Sequence, residues 1–486
     1  MMIATLVLPR VVDAKKLNIA IGSSPNNLDP HYATDANSQD INRLIHLSLV
    51  DASRQMKTVC RACDKFESRI DGKSQIIRFW IKDNLKFQDQ TAVLADDIVM
   101  STKNLLAKKD APIPALFQNL VNAEKVSDKI VDLYFDEYRP ENLTNLSLLK
   151  IENWKKGNRV AAGEYKLIQK DENEIIIQSA LQTIHFKVVG DETTAALKLL
   201  NGEIDLIATT ISPRKSFWLS TQKEIKTFEV EGSNYVYISP QHRHPDLKKR
   251  NVRRALSHLI PREILAKYKM KDTVALSQGM YSKAFEDLNL PNEPIKYDQE
   301  KAKELLLKEG YVFENGRWKK EDHQLEFTLK VSNKKHIIEL AKAIAPYWNK
   351  FGIPLKIQSL EWGSFYRDLK QGNYDLALGQ WIGFVGPDQM GFTFLTSSIP
   401  PGGANRGFYE DPIFDELYSS ALKETSEPKA LEYYRKAYTR LIENEAYISL
   451  WHPKIVWIGR DCIKSIELYP TGNFLALEAM EHVCHN

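Results

Sequence analysis

SLEWGSFYRDLKQGNYDLALGQWIGFVGPD, residues 359–388, carries the strongest fold signal in the chain. Trp362, Phe365, Tyr366 and Leu369 recur at three- and four-residue spacing, one face of an amphipathic helix, and Gly372 supplies a stop. A short strand is expected over Tyr374–Leu378, then a Gly- and Pro-rich loop bearing Trp381, Phe384 and Asp388. Aromatic rings and one carboxylate on a loop at a strand end suit capture of a small cationic or peptidic ligand. The same residues also suit a tryptophan anchored in a core beside a polar turn.

Further signals follow in order along the chain. Leu17–Ile21 reads as a first strand, and Asn27-Leu28-Asp29-Pro30 as the loop after it. FWIKDNLKFQDQ (79–90) precedes the helix start ADDIVMS (95–101). GDETTAAL (190–197) leads to LNGEIDL (200–206), a helix, turn and strand. NVRRAL (251–256) is followed by IPRE (260–263), and ANRGFY (404–409) by Asp411-Pro412 and Phe414-Asp415. Together with the 359–388 stretch, this ordered series resembles the substrate-binding proteins of peptide- and nickel-type ABC transporters, which include the oligopeptide and dipeptide binders.

That resemblance implies an α/β fold: a two-lobed, hinged periplasmic-binding-protein fold of type II with three domains, its mixed sheets flanked by helices. Where the motifs fall, residues 15–43, 159–238 and 453–486 should form the first lobe and 44–158 an inserted domain. Residues 239–452 should form the lobe carrying the ligand loop. Crossings between lobes act as a hinge, and a ligand that contacts both lobes favours the closed state. The implied function is the substrate-binding component of an importer. It would capture a peptide or peptide-like solute and deliver it to an ABC permease in the inner membrane, as a periplasmic monomer with no cofactor.

Gross properties agree. A length of 486 residues exceeds one ordinary domain, and hydrophobic residues at 43% allow sizeable cores. A net charge of +3 gives no electrostatic case for a nucleic-acid or bilayer partner. No apolar run is long enough to cross a membrane. Residues 1–14, apolar through Leu8 and ending Val12-Asp13-Ala14, resemble the end of a secretory signal, and no lipid-attachment cysteine follows.

Cys60-Arg61-Ala62-Cys63 has the spacing of a redox pair or half a zinc site, but its surroundings fit neither, and no matching second pair exists. Two structural disulfides are expected, most simply Cys60–Cys63 and Cys462–Cys484, with the connectivity open. No Gly-x-Ser-x-Gly elbow, Gly-x-x-x-x-Gly-Lys loop or His-Glu-x-x-His motif is present, so no enzyme activity is expected. His242 and His244 flank Arg243 and invite a metal, but a solvated loop between Pro240 and Pro245 is the preferred reading. Arg253 and Arg254 are expected on a helix surface.

Candidate ligand contacts are Trp381, Phe384, Asp388, Trp362, Asn405, Arg406, Ser23 and Asn26. The two tryptophans would stack on ligand planes or cover an ammonium. Arg406, with Asn405, would meet a carboxylate or an amide, because the planar guanidinium fork binds both carboxylate oxygens. Peptide binders of the resembling family carry an Asp for the peptide ammonium group where this chain has Phe384. Its loss removes a charge-assisted hydrogen bond worth about 1.5–3 kcal/mol, unless Asp388 substitutes. Ordinary di- and tripeptides should therefore bind poorly, and a nickel chelate, haem, oligosaccharide or opine is the alternative solute. A ligand-sensing module is a further alternative, although no DNA-binding helix pair accompanies it.

Overall fold

The computed structural model describes residues 15–139, 141–155, 158–209, 211–288, 290, 293–383, 385–424 and 426–484. The expected signal over residues 1–14 and Phe384 lie outside these residues.

An unbroken apolar run suits a strand covered on both faces. Strand β1 (Lys15–Ile21) fits this, with Leu17–Ile21 all buried. It pairs in parallel with β2 (Gln182–Val188) on one side and β3 (Leu206–Ile207) on the other. Strand β4 (Ile225–Glu231) and an antiparallel pair beyond β2, Lys166–Lys170 with Glu174–Gln178, complete this half of the sheet. In the other half, β5 (Tyr235–Pro240) runs antiparallel to the strand ending at Trp381, while β6 (Phe327–Ser332) lies parallel to β7 (Leu355–Leu360) and to β8 (Leu376–Trp381). The thirteen-residue β9 (Ile448–Arg460) belongs to both halves: Ile448–Trp451 pairs with β5 and Lys454–Arg460 with β4. The chain therefore crosses between halves at residues 232–234 and again along β9.

Each half has its own core. Leu17, Ile19, Phe186, Leu206 and Trp457 cluster in the first, and Ile238, Leu329, Trp348, Leu376 and Trp451 in the second. Burying each such side chain contributes about 1.5–3 kcal/mol. A separate four-stranded antiparallel sheet, with Ile77, Phe79, Val131 and Leu133 in a third core, is inserted between β1 and β2.

Helix α1 (Ala36–Ile45) starts at Asp35, whose carboxylate accepts from the Ser38 N–H at 3.0 Å. Helix α2 (Lys335–Lys350) packs on β6 and β7, and α3 (Trp362–Gln371) on β6. Helix α4 (Asp388–Phe394) follows β8. Both disulfides form as Cys60–Cys63 and Cys462–Cys484, and no described cysteine is left over. The second closes a 22-residue separation and should stabilise the fold by about 3 kcal/mol through the unfolded chain.

Three local expectations change. The strand expected at Tyr374–Leu378 runs instead from Leu376 to Trp381, because its partner β5 continues the pairing to Tyr235 opposite Trp381. Asp388 opens a helix rather than sitting in an open loop. Arg253, expected on a helix surface, is 3% exposed, because its guanidinium donates to the carbonyls of Leu247, Lys248, Asn444 and Glu445.

Candidate functional site

Helix α3 is fixed at both ends. Glu361 caps it, accepting from the N–H groups of Gly363 and Ser364 at 2.7 and 3.2 Å. Gly372 ends it with φ at 71°, and a Cβ there would meet the Phe408 ring at 2.6 Å, so both conformation and space require glycine. Between these stops Phe365 and Leu369 are buried, which leaves Trp362 56% exposed and Tyr366 half-buried beside it.

A ladder starts at this exposed edge. The rings of Trp362 and Tyr366 stack at 5.9 Å and 23°. The Arg406 guanidinium lies over Tyr366 at 4.8 Å and over Trp381 at 5.4 Å, so it is held between two rings. Trp381 stacks on Tyr237 at 6.3 Å, and Tyr237 on the buried Tyr447 at 4.0 Å. Among the described residues the buried Trp381 indole N–H has no acceptor at hydrogen-bond distance.

Arg406 donates from Nη2 to the Tyr366 hydroxyl at 3.2 Å, and no carboxylate pairs with it among the described residues. A guanidinium with most of its N–H groups unengaged and its faces covered by rings presents a fork ready for a carboxylate.

Asn405, the neighbour of Arg406, does not join the ladder. It is 1% exposed, its amide nitrogen donates to the carbonyls of Phe394, Leu395 and Tyr409, and its Oδ1 accepts from the Tyr409 N–H. Asn405, expected as a ligand contact, here fastens the loop with both its carboxamide nitrogen and its oxygen.

Asp388 sits where the loop turns into α4. Burial, reinforced by the nearby charge of Glu141, pushes its carboxyl up to about 6. Tyr281 and Tyr418 close the same corner, donating to the carbonyls of Gly386 and Pro387 at 3.2 and 3.5 Å.

Ser23 and Asn26 lie on the loop after β1, and both are exposed. Asn37 Nδ2 donates to the Ser23 carbonyl and hydroxyl at 2.8 and 3.1 Å, and the Asn26 N–H donates to Asp35 at 3.2 Å. No hydrogen bond or ring contact among the described residues joins either of them to the ladder. Both loops, however, leave the carboxyl ends of strands with parallel neighbours, where the ligand crevices of open α/β sheets form.

The two histidines beside Arg243 do not converge. His242 Nε2 donates to the Ala446 carbonyl at 3.0 Å, whereas His244 Nδ1 accepts from the Asp246 N–H at 3.2 Å. Among the described residues the one cluster with metal-ligand spacing is Asp205, Cys462 and Cys484, and its sulfurs are joined in a disulfide.

Tyr237 and Tyr447 were not singled out from the sequence. All six residues of β5 are buried, so the strand shows no alternation to mark Tyr237 as a ring beneath the site. Spacing Tyr235-x-Tyr237 was the available clue.

The family described as bacterial extracellular solute-binding proteins, family 5 Middle, matches residues 64–400. The oligopeptide-binding protein AppA of Bacillus subtilis (strain 168) is 22% identical over 510 residues, covering 95% of this chain and 91% of AppA. The periplasmic oligopeptide-binding protein OppA of Salmonella typhimurium is 23% identical over 500 residues, covering 90% of this chain and 88% of OppA. Among solved structures, NikA from Brucella suis in complex with Fe(III)-EDTA superposes with a TM-score of 0.82 at 19% identity, covering 96% of this chain and 100% of NikA. At such identity the structural likeness establishes the fold: two lobes of the type II periplasmic-binding-protein kind, with mixed sheets flanked by helices.

Proposed function

The chain belongs to the bacterial extracellular solute-binding proteins of family 5, the binding components of ABC importers, and we propose that it captures a peptide or peptide-like solute between two lobes. The family is one of binding proteins and not of enzymes. No helix among the described residues is long and apolar enough to cross a membrane. In this reading the protein works as a monomer in the periplasm and hands its solute to the permease. The first lobe comprises residues 15–43, 159–238 and 453–486, the inserted domain 44–158, and the ligand-loop lobe 239–452.

Arg406, held between Tyr366 and Trp381 with no carboxylate partner among the described residues, carries the proposal. A solute carboxylate would take its unengaged N–H groups, while Trp362, Tyr366 and Trp381 would cover the solute's planar or apolar parts. Ser23 and Asn26 would meet the solute from the opposite lobe only on closure, which makes binding and closure one equilibrium. Native mass spectrometry of protein purified from its own host tests this: a co-purifying solute bearing a carboxylate supports it, and a neutral oligosaccharide contradicts it.

One observation favours a non-peptide solute within the same class. Phe384 stands where peptide binders carry the acid for the ammonium group, and Asp388, with its carboxyl raised to about 6, is fully charged only above that pH. A carboxylate-rich chelate would use Arg406 and need no such acid. The NikA structure, with its bound Fe(III)-EDTA, is an example of a polycarboxylate chelate on this fold. Calorimetry with a tripeptide mixture separates the two readings. Tight binding that is lost in Asp388→Ala restores the peptide, with Asp388 as the ammonium partner.

A further inference from the structure

The two crossings between the halves touch each other. Gly232 N–H donates to the Pro453 carbonyl at 3.1 Å, and a Cβ on Gly232 would lie 2.3 Å from that oxygen. The next residue, the fully buried Ser233, donates its N–H to the Pro470 carbonyl of the first half at 2.9 Å. Asn234 then faces the other way. His452 Nδ1, on the wholly buried imidazole stacked against Tyr235, lies 2.8 Å from the Asn234 carbonyl. The Asn234 side-chain Oδ1 accepts from the Gly383 N–H at 3.2 Å.

Gly383 is two residues past Trp381 and has φ at 73°, a conformation glycine adopts without strain. Its neighbour Ile382 is 71% exposed, so little else in the packing fixes this part of the ligand loop. A three-residue crossing is thus tied by one residue to the loop that carries the candidate site.

We propose that Asn234 is a positioning residue that couples the ligand loop at Trp381–Gly383 to the crossing between the lobes. This rests on the binding-protein reading above. Lobe rotation is absorbed by dihedral changes in short crossings. A change at 232–234 moves the Asn234 carboxamide, and Gly383 is held to it. Conversely, a solute that fixes the loop at Trp381 favours one setting of the crossing, so occupancy and closure bias each other. Pro470 holds the Ser233 amide and His452 the Asn234 carbonyl, so the Asn234 carboxamide follows the setting of the crossing.

The test uses fluorophores at Glu172 and Lys334, exposed positions on the two halves, with a mixed-sequence tripeptide-to-pentapeptide library as probe. Under the peptide reading the library draws the labels together in wild type and in Asn234→Asp, which keeps an acceptor for Gly383. Asn234→Ala should bind roughly threefold to tenfold more weakly and close less. Wild-type affinity and closure in Asn234→Ala overturn the inference. So does a loss of melting temperature shared by both variants with closure unchanged. If the library leaves wild type untouched, the peptide reading fails, and the coupling is measured in ligand-free protein by hydrogen exchange. Faster exchange in Asn234→Ala at both Gly383 and the Gly232–Ser233 amides supports the inference; faster exchange at Gly383 alone overturns it.

Discussion

Two groups of arginines in the ligand-loop half look alike on paper and behave as opposites. Arg253 and Arg262 are buried in the core, and Arg406 stands in the ladder at its edge. Neither core arginine has a side-chain carboxylate at ion-pair distance among the described residues, and both are filled with carbonyls instead. Arg262 donates to the carbonyls of Ser257, Ile295 and Ser449, and Arg253 to those of Leu247, Lys248 and Glu445. Among the described residues Arg406 makes a single side-chain hydrogen bond, to Tyr366. A missing carboxylate therefore does not mark a ligand-facing cation; unengaged donors do.

Substitution should pull the two kinds of arginine apart. Arg262→Ala leaves buried carbonyls unpaired and removes positive charge beside the buried Glu445, so chemical denaturation should show a loss of about 3–5 kcal/mol. Arg406→Ala should leave stability within about 1 kcal/mol, as at a surface position. If both variants lose the same stability, the distinction fails.

Acid sharpens the contrast between buried interior and open ladder. Burial holds the imidazoles of His46 and His242 down to about 3 and that of His452 to about 4. The unfolded chain protonates each near 6.5, while the fold keeps them neutral, so stability is complete above that pH and is lost as pH falls toward 4. Each group supplies about 1.4 kcal/mol per pH unit over that window. The raised carboxyls of Asp40 and Asp388, both at about 6, act in the opposite sense, so a single variant is the cleaner measurement. Denaturation of His452→Gln should give a shallower fall between pH 6 and 4 than wild type, and an equal slope would contradict the assignment.

The smallest effect belongs to Trp362. It is exposed and stacked on Tyr366 alone among the ladder residues. Trp362→Ala should cost affinity of about 1 kcal/mol and leave the melting temperature unchanged. A clear fall in melting temperature would move Trp362 from the site into the core.

Much of this was legible in the residues. The 3.6-residue period and Gly372 gave α3 and its stop, and Arg406 was recognisable from its chemistry beside a Gly-rich loop. What stayed hidden was three-dimensional. Asn405 and Arg406 are adjacent, and their sequence does not reveal that one amide meets three carbonyls while the neighbouring guanidinium meets two rings. Tyr237 lies in a strand buried on both faces, so the period that normally separates inside from outside is absent. Arg253 falls on a helix whose charged residues suggest solvent, and the carbonyls of Leu247, Lys248, Asn444 and Glu445 explain its burial.

The account rests on Arg406 as the anchor for a solute carboxylate. Isothermal titration of the co-purifying solute into wild type and Arg406→Ala, with melting curves for both, tests this most directly. The prediction is an affinity loss of about 1.5–3 kcal/mol, roughly 10- to 100-fold, at unchanged melting temperature. Equal affinity for the two proteins would contradict it.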